Sequence, residues 1–184
     1  ADWDTAFGVV TSITAYRQFD WENMNDNDFS VLNMLSSGIS EDYTQFSQEL
    51  RLVSKGGSKF DYVAGLYYED QSLDTISTAI VGPDLGIYPD EVTGEIFGDV
   101  ESNGWAAYAQ GTYHFSDQWS VSAGLRYSDE EKDVTHSQVG DPFEVLLPTY
   151  PQRKVSRSDS QTSPSLSLNW QPNENVLAYA SYAQ

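Results

Sequence analysis

Two amphipathic segments joined by a tight turn, Trp105 to Tyr127, constrain the fold of this chain more than any other stretch. In the first, Trp105, Ala107, Ala109, Gly111, Tyr113 and Phe115 share one parity, and Ala106, Tyr108, Gln110, Thr112 and His114 the other. After Ser116-Asp117-Gln118 the pattern resumes, with Trp119, Val121, Ala123, Leu125 and Tyr127 set against Ser120, Ser122, Gly124 and Arg126. A period of two is that of a strand with one apolar face and one small or polar face. The inner face of a soluble sandwich would carry large aliphatics. Here aromatics stand at both ends of the apolar face, as they do at the two interfaces of a membrane-spanning strand. Trp105, Tyr113, Phe115, Trp119 and Tyr127, with Trp170 further on, are the expected membrane-interface aromatics.

The same reading predicts about seven strands. The first covers roughly 5–21, with Phe7, Val9, Ile13, Ala15, Phe19 and Trp21 at odd positions and Gly8, Ser12, Thr14, Gln18 and Asp20 at even ones. Arg17 breaks the apolar parity there and is expected at the outer rim, where a long cationic side chain snorkels toward lipid phosphates. The second strand covers about 43–54, and the third starts at Phe60 and extends to about Ile80. The fourth and fifth are the pair above. The sixth ends at Trp170, and the seventh starts at Val176 with both faces apolar, Val176/Ala178/Ala180/Tyr182 and Leu177/Tyr179.

Connections alternate in length. Short turns fall at 55–59, 116–118 and 171–175; long segments fall at about 22–42, 69–103 and 129–159. Short turns at one end and long loops at the other are the layout of an outer-membrane barrel. The charge follows this division. Of a net charge of -19, nearly all lies in the three long segments, and the first two contain no cation. Strands that are nearly neutral beneath acidic loops suit a low-dielectric zone where exposed charge is costly.

Several function classes lose support. With 9 Lys and Arg against 28 Asp and Glu, the chain lacks the clustered cations that nucleic acid requires, so no nucleic-acid partner is expected. It has no cysteine, hence no disulfide framework and no thiolate chemistry. Neither a nucleophile elbow nor a glycine-rich phosphate loop is present, so no catalytic residue, no cofactor and no enzymatic activity are expected. His114 and His136 read as solvated side chains. The run Glu22 to Asp28 is the best candidate for calcium, but it lacks the glycine and distal glutamate of an EF-hand loop. It reads as a solvated acidic loop, and no metal site is assigned.

The segments TQFSQELRLVS (44–54), FDYVAGLYYEDQ (60–71), WAAYAQGTYHFSDQWSVSAGLRYSDEEKD (105–133) and SPSLSLNWQPNENVLAYASYA (163–183) resemble the barrel of TonB-dependent outer-membrane receptors. The resemblance covers about half of the chain. It implies an all-β fold: an antiparallel up-and-down transmembrane barrel of 22 strands, closed around an N-terminal plug and driven by the TonB energy-coupling complex. About seven strands cannot close such a barrel, because every strand edge in lipid needs a partner. Residues 1–184 are thus expected to be a middle portion of the barrel domain, with plug and C-terminal strands outside it. The resemblance further implies the bacterial outer membrane as location, its lipid and lipopolysaccharide as surroundings, and uptake of a scarce nutrient such as a ferric siderophore. Glu49, Arg51 and Arg126 fall on the expected lumen face, where they pair with one another, meet the plug or stand in water. A passive outer-membrane channel and a soluble all-β binding module are the competing readings.

Overall fold

The computed structural model describes residues 1–141 and 144–184. It contains eight strands: β1 (Asp2–Asp4), β2 (Val9–Asp26), β3 (Leu35–Val53), β4 (Phe60–Val81), β5 (Val92–His114), β6 (Trp119–Val139), β7 (Tyr150–Asn173) and β8 (Val176–Ala183). Every strand pairs antiparallel with its neighbour in sequence, in the order β1 to β8. The strand beyond the seven expected is β1, which pairs Asp2–Asp4 with Val9–Thr11. Three residues are too few to display a period of two.

β2 and β4 have nearly the expected lengths, while β3, β5, β6 and β7 run well past the expected bounds. β2 to β7 run 18 to 24 residues, whereas about 10 residues suffice to cross the hydrocarbon layer. The long segments expected as loops are mostly strand, and the true connections shrink to 27–34, 82–91 and 140–149. Apolar alternation stops where the wall leaves the apolar zone. The backbone ladder does not, because its hydrogen bonds depend on register rather than on side-chain polarity. The segregation of connections holds: 5–8, 54–59, 115–118 and 174–175 lie at the short-turn end. In the 54–59 turn, Gly56 and Gly57 have φ of 74° and 75°, a left-handed conformation that glycine adopts without steric cost.

The sheet is a single layer with no core. Among the described residues only Val81, Tyr88 and Ala106 are buried hydrophobics. Leu66, Leu125 and Leu166 are each more than half exposed. The two faces are nevertheless distinct. Ala106 and Ser102, which share a face, are almost fully buried beneath their neighbours, while Trp105 on the other is 48% exposed. Ala106 lies on the inner face and Trp105 on the outer.

Register corrects one expectation. Val10 lies opposite Leu52, and Tyr16 opposite Phe46, so the even positions of β2 face outward. The odd set of Val9, Ile13, Ala15, Phe19 and Trp21 faces inward, and so does Arg17, which is not at an outer lipid-facing rim. Pairing with β3 decides this, since a slip of one residue would turn every side chain of β3 over. The outward Ser12, Thr14 and Gln48 satisfy one another: Thr14 donates to Gln48 Oε1, and Gln48 Nε2 donates to Ser12 Oγ at 2.9 Å. β8 is settled in the same way, with Ala178, Ala180 and Tyr182 opposite Trp170, Leu168 and Leu166 on the outer face.

At the long-loop end the connections are tied together. Asn33 donates its backbone N–H to Asp84 at 2.8 Å and its side-chain amide to Glu91 at 3.2 Å. The Asp28 carboxylate accepts from Ser30, Met34 and Leu35, which lowers its pKa, the Ser30 side chain contributing most. Asp141 accepts backbone N–H groups from Val145, Leu146 and Leu147 at 3.2, 3.1 and 2.9 Å and the hydroxyl of Tyr88 from the neighbouring loop. Burial alone would raise its pKa. The Leu147 amide, the Tyr88 hydroxyl and the Leu146 and Val145 amides together outweigh burial and hold it well below the ordinary carboxylate range.

A carboxylate whose pKa is depressed by folding adds stability that is complete above its unfolded value and is lost as pH falls through the folded one. Hydrogen-exchange protection of the Val145, Leu146 and Leu147 amides, corrected for intrinsic rate, is therefore expected to hold from neutrality down to about pH 4 and to fail only below that. In Asp141→Ala the protection should be missing at every pH. Equal protection in the variant would show that Asp141 does not hold the loop.

Candidate functional site: the aromatic belt and the inner wall

The outer face carries two aromatic tiers. On the upper one, toward the long loops, Tyr68 stands directly opposite Trp105, and the rings of Trp105 and Tyr127 lie 5.3 Å apart. On the lower one Phe60 stands opposite Tyr113. Tyr113 and Phe115 meet edge to face at 5.4 Å, and Trp119 stacks on Trp170 at 5.7 Å. All six aromatics singled out in the sequence thus share one face and divide between two levels. Between the tiers lie Leu66 and Ala107, Ala64, Ala109 and Leu125, then Tyr62, Gly111, Ala123 and Leu166. From Trp105 to Phe115 is ten residue steps. At about 3.3 Å per step and a tilt of about 40°, this spans roughly 25 Å of height, the height of the apolar band on an outer-membrane barrel.

The inner wall between the tiers is polar. Glu49 accepts the Tyr108 hydroxyl at 2.5 Å, and Arg126 Nε donates to Ser128 Oγ at 2.9 Å. Arg51, Gly65, Tyr108 and Arg126 form one row across four strands. Gly65 makes room there, because a Cβ would sit 2.5 Å from the end of the Tyr108 ring as it lies. The missing side chain lets the ring lie across the sheet and reach Glu49. Arg51 Nε is buried and has no hydrogen-bond partner among the described residues. No ion pair joins Glu49, Arg51 and Arg126 among those residues, so Tyr108 is the bridge that sequence reasoning missed. Nothing in the pattern marked Tyr108; its link to Glu49 spans two strands and depends on Gly65. Lower on this wall His114 Nε2 lies 3.0 Å from Asp61, and near the long loops the His136 ring meets Tyr150 at 5.4 Å.

Above the upper tier most acids face outward, while Glu41, Glu69, Glu130 and Asp159 face inward. Asp20, Asp42, Asp74 and Asp99 stand opposite one another across four strands on the outer face. The pKa of Asp74 is raised by burial first, and then by the hydrogen bond and charge of Asp99 and the charges of Asp42 and Glu101. One outward cation answers them: Lys154, 2.8 Å from Asp133, which lowers the Asp133 pKa and raises its own. Inward go Arg17, Lys132, Arg153 and Arg157. The acidity read from the sequence as a property of loops is mainly a property of the outer wall. Among the described residues no group of three or more His, Asp or Glu is arranged to hold a metal ion.

A sequentially ordered antiparallel sheet with an apolar outside and a polar inside is a section of an up-and-down β-barrel wall. The β-barrel model of TonB dependent receptor-like proteins matches residues 1–184, and the chain belongs to that family. Its fold is similar to that of the ferric yersiniabactin uptake receptor FyuA from Yersinia pestis, with a TM-score of 0.80 and 19% identity over 98% of this chain and 26% of the receptor. It is also similar to the siderophore receptor PiuA from Acinetobacter baumannii, with a TM-score of 0.68 and 16% identity over 99% of this chain and 30% of that one. At these identities the likeness establishes the fold. The chain spans less than a third of either receptor's length.

Ala123 faces outward opposite Gly111 and Leu166, midway between the tiers, and Ser122 faces inward opposite Thr112. Ala123→Arg in the full-length protein is expected to cost roughly 2–4 kcal/mol, the depth-dependent penalty for a cation at midplane. Ser122→Arg should be mild. Heat-modifiable migration and urea unfolding in lipid vesicles measure both; tolerance of Ala123→Arg with failure of Ser122→Arg would invert the faces.

Proposed function

We propose that this chain is part of the wall of an energy-coupled receptor that imports a scarce nutrient, such as a ferric siderophore, across the bacterial outer membrane. The observation that carries the reading is the contrast across one layer: an apolar belt about 25 Å tall between aromatic tiers outside, and a polar wall with Glu49, Tyr108, Arg51 and Arg126 inside. The six aromatics singled out in the sequence anchor the belt in the two interfaces, Trp105 and Tyr127 above, Tyr113, Phe115, Trp119 and Trp170 below. Outer-membrane lipid covers the belt, and lipopolysaccharide meets the wall above it.

Family membership supports the remaining parts. Residues 1–184 are a middle portion of the barrel domain. A plug from the same protein fills the lumen and rests on the inner polar row, where Arg51 has a buried N–H to offer an acceptor. Ligand is captured at the long-loop end, and the plug is then displaced by work delivered through the TonB complex. FyuA and PiuA are named as an uptake receptor and a siderophore receptor, and the ligand class assigned here follows that likeness.

The test places the full-length protein in cells that lack their own ferric receptors. Under iron limitation, growth on a panel of ferric chelates is expected for at least one member, and it should stop when the TonB complex is deleted. The double variant Arg51→Gln/Arg126→Gln should admit small antibiotics that the unaltered protein excludes, because the plug loses its seat. Energy-independent entry of small solutes through the unaltered protein would replace the receptor with a passive channel.

A further inference from the structure

The inner wall carries an apolar row that the membrane does not explain. Phe19, Tyr43, Leu73, Val100, Val134 and Val155 stand directly opposite one another across six strands, β2 to β7. Val100 is five steps above Trp105, about 16 Å along the strand and roughly 12 Å in height. The row therefore lies beyond the hydrocarbon layer. It faces inward, away from lipid, and a single-layer sheet offers it no core.

One end of the row is aromatic and has a cation beside it. The Phe19 and Tyr43 rings stack at 5.0 Å with an interplanar angle of 25°. Tyr43 donates its hydroxyl to Gln71 at 3.1 Å, which fixes the ring. The Arg17 guanidinium carbon lies 5.4 Å from the Phe19 centroid and 5.7 Å from the Tyr43 centroid, within cation–π range. Arg17 is exposed and has no carboxylate within ion-pair distance among the described residues. Lys132 and Arg157, in the row of Arg17, are held by Glu130 and Asp159. The carboxylates of Asp20, Asp42, Asp74 and Asp99, near the same height, point out of the other face. Two acids share the inner face nearby: Glu69 accepts from Gln45 and Tyr67, and Glu41 stands opposite Trp21. A negative group arriving from inside meets on the apolar ledge a guanidinium that neither acid pairs among the described residues.

We propose that Arg17, Phe19 and Tyr43 form a subsite for an amphipathic anion, whose flat apolar part lies on the Phe19–Tyr43 stack while its charge meets the Arg17 guanidinium. The subsite rests on the uptake reading above and narrows it: uncharged oligosaccharides and neutral chelates do not fit this chemistry.

The experiment measures equilibrium binding to the full-length protein in detergent, where no energy coupling is needed, by quenching of intrinsic fluorescence. The anionic probes are a ferric tris-catecholate and haemin; the neutral ones are an uncharged ferric trihydroxamate and a maltooligosaccharide. At least one anion is expected to bind. Its Kd should rise tenfold or more in Arg17→Gln and in Tyr43→Ser, and less in Arg17→Lys. Binding should weaken with salt, and Arg17→Gln should flatten that dependence. Heat-modifiable migration confirms that each variant is folded, and Tyr43→Leu keeps the apolar bulk if Tyr43→Ser does not assemble. Failure of both anions to bind, binding of neutral probes alone, or unchanged Kd in folded variants overturns the subsite. So does solute leakage through Phe19→Ser with anion affinity intact, which would make the row a seat for the plug. Energy-dependent uptake of a neutral probe alone overturns the subsite and leaves the uptake reading standing. Anion binding lost in the variants of a protein that leaks without energy supports the subsite and overturns uptake.

Discussion

Backbone pairing in a single layer is the constraint on which this structure depends. A sheet with no core has one way to satisfy its N–H and C=O groups away from water, which is to give each of them to the next strand. From β2 to β6 the ladder runs without a shift in register. Irregularities appear at His136/Gln138 and at Trp170/Asn173. Because the ladder is continuous, the facing of one strand fixes the facing of all the others. Leu50 and Leu52 turn outward, so Val10 and Tyr16 do, and Arg17 with its stacked rings is sent inside.

The same register sorts polarity with height. Between the aromatic tiers the outer face is made mainly of small and aliphatic residues with Tyr62 among them, and the inner face holds Glu49, Arg51, Tyr108 and Arg126. Above the upper tier the sorting changes character: most acids point outward, Glu41, Glu69, Glu130 and Asp159 excepted, and Arg17, Lys132, Arg153 and Arg157 point inward. Net charge alone would describe the molecule as an obstacle to anions. Resolved by face, a negative wall surrounds an interior to which most of the cations point. Field and access at a site depend on this local arrangement rather than on the total.

Much of this was legible in the sequence. Trp105 to Tyr127 showed both faces of a hairpin and both tiers, because small residues between aromatics have one reading at a period of two. The β2 parity misled: Val9, Ile13, Phe19 and Trp21 outweigh Val10 and Tyr16 in apolar bulk, and only pairing with β3 shows that the heavier set faces inward. The full lengths of β3, β5, β6 and β7 were hidden because both faces become polar above the belt, which removes the contrast that periodicity needs. The Tyr108–Glu49 bond and the Phe19-to-Val155 row were invisible for a different reason. Their members are separated by tens of residues and come together only through register across several strands.

Depth measurements on spin labels test the central claim, that one face of this wall meets lipid while the other does not. The chain has no cysteine, so Ala106→Cys, Ala107→Cys, Ala109→Cys and Gln110→Cys can each be labelled uniquely in the full-length protein in bilayers. The account predicts that labels at 107 and 109 collide with dissolved oxygen and are shielded from a water-soluble nickel chelate, with 109 the deeper. Labels at 106 and 110 should show little oxygen contact. A reversed pattern, or equal access of the nickel chelate to all four positions, would contradict the assignment of the apolar belt to the membrane.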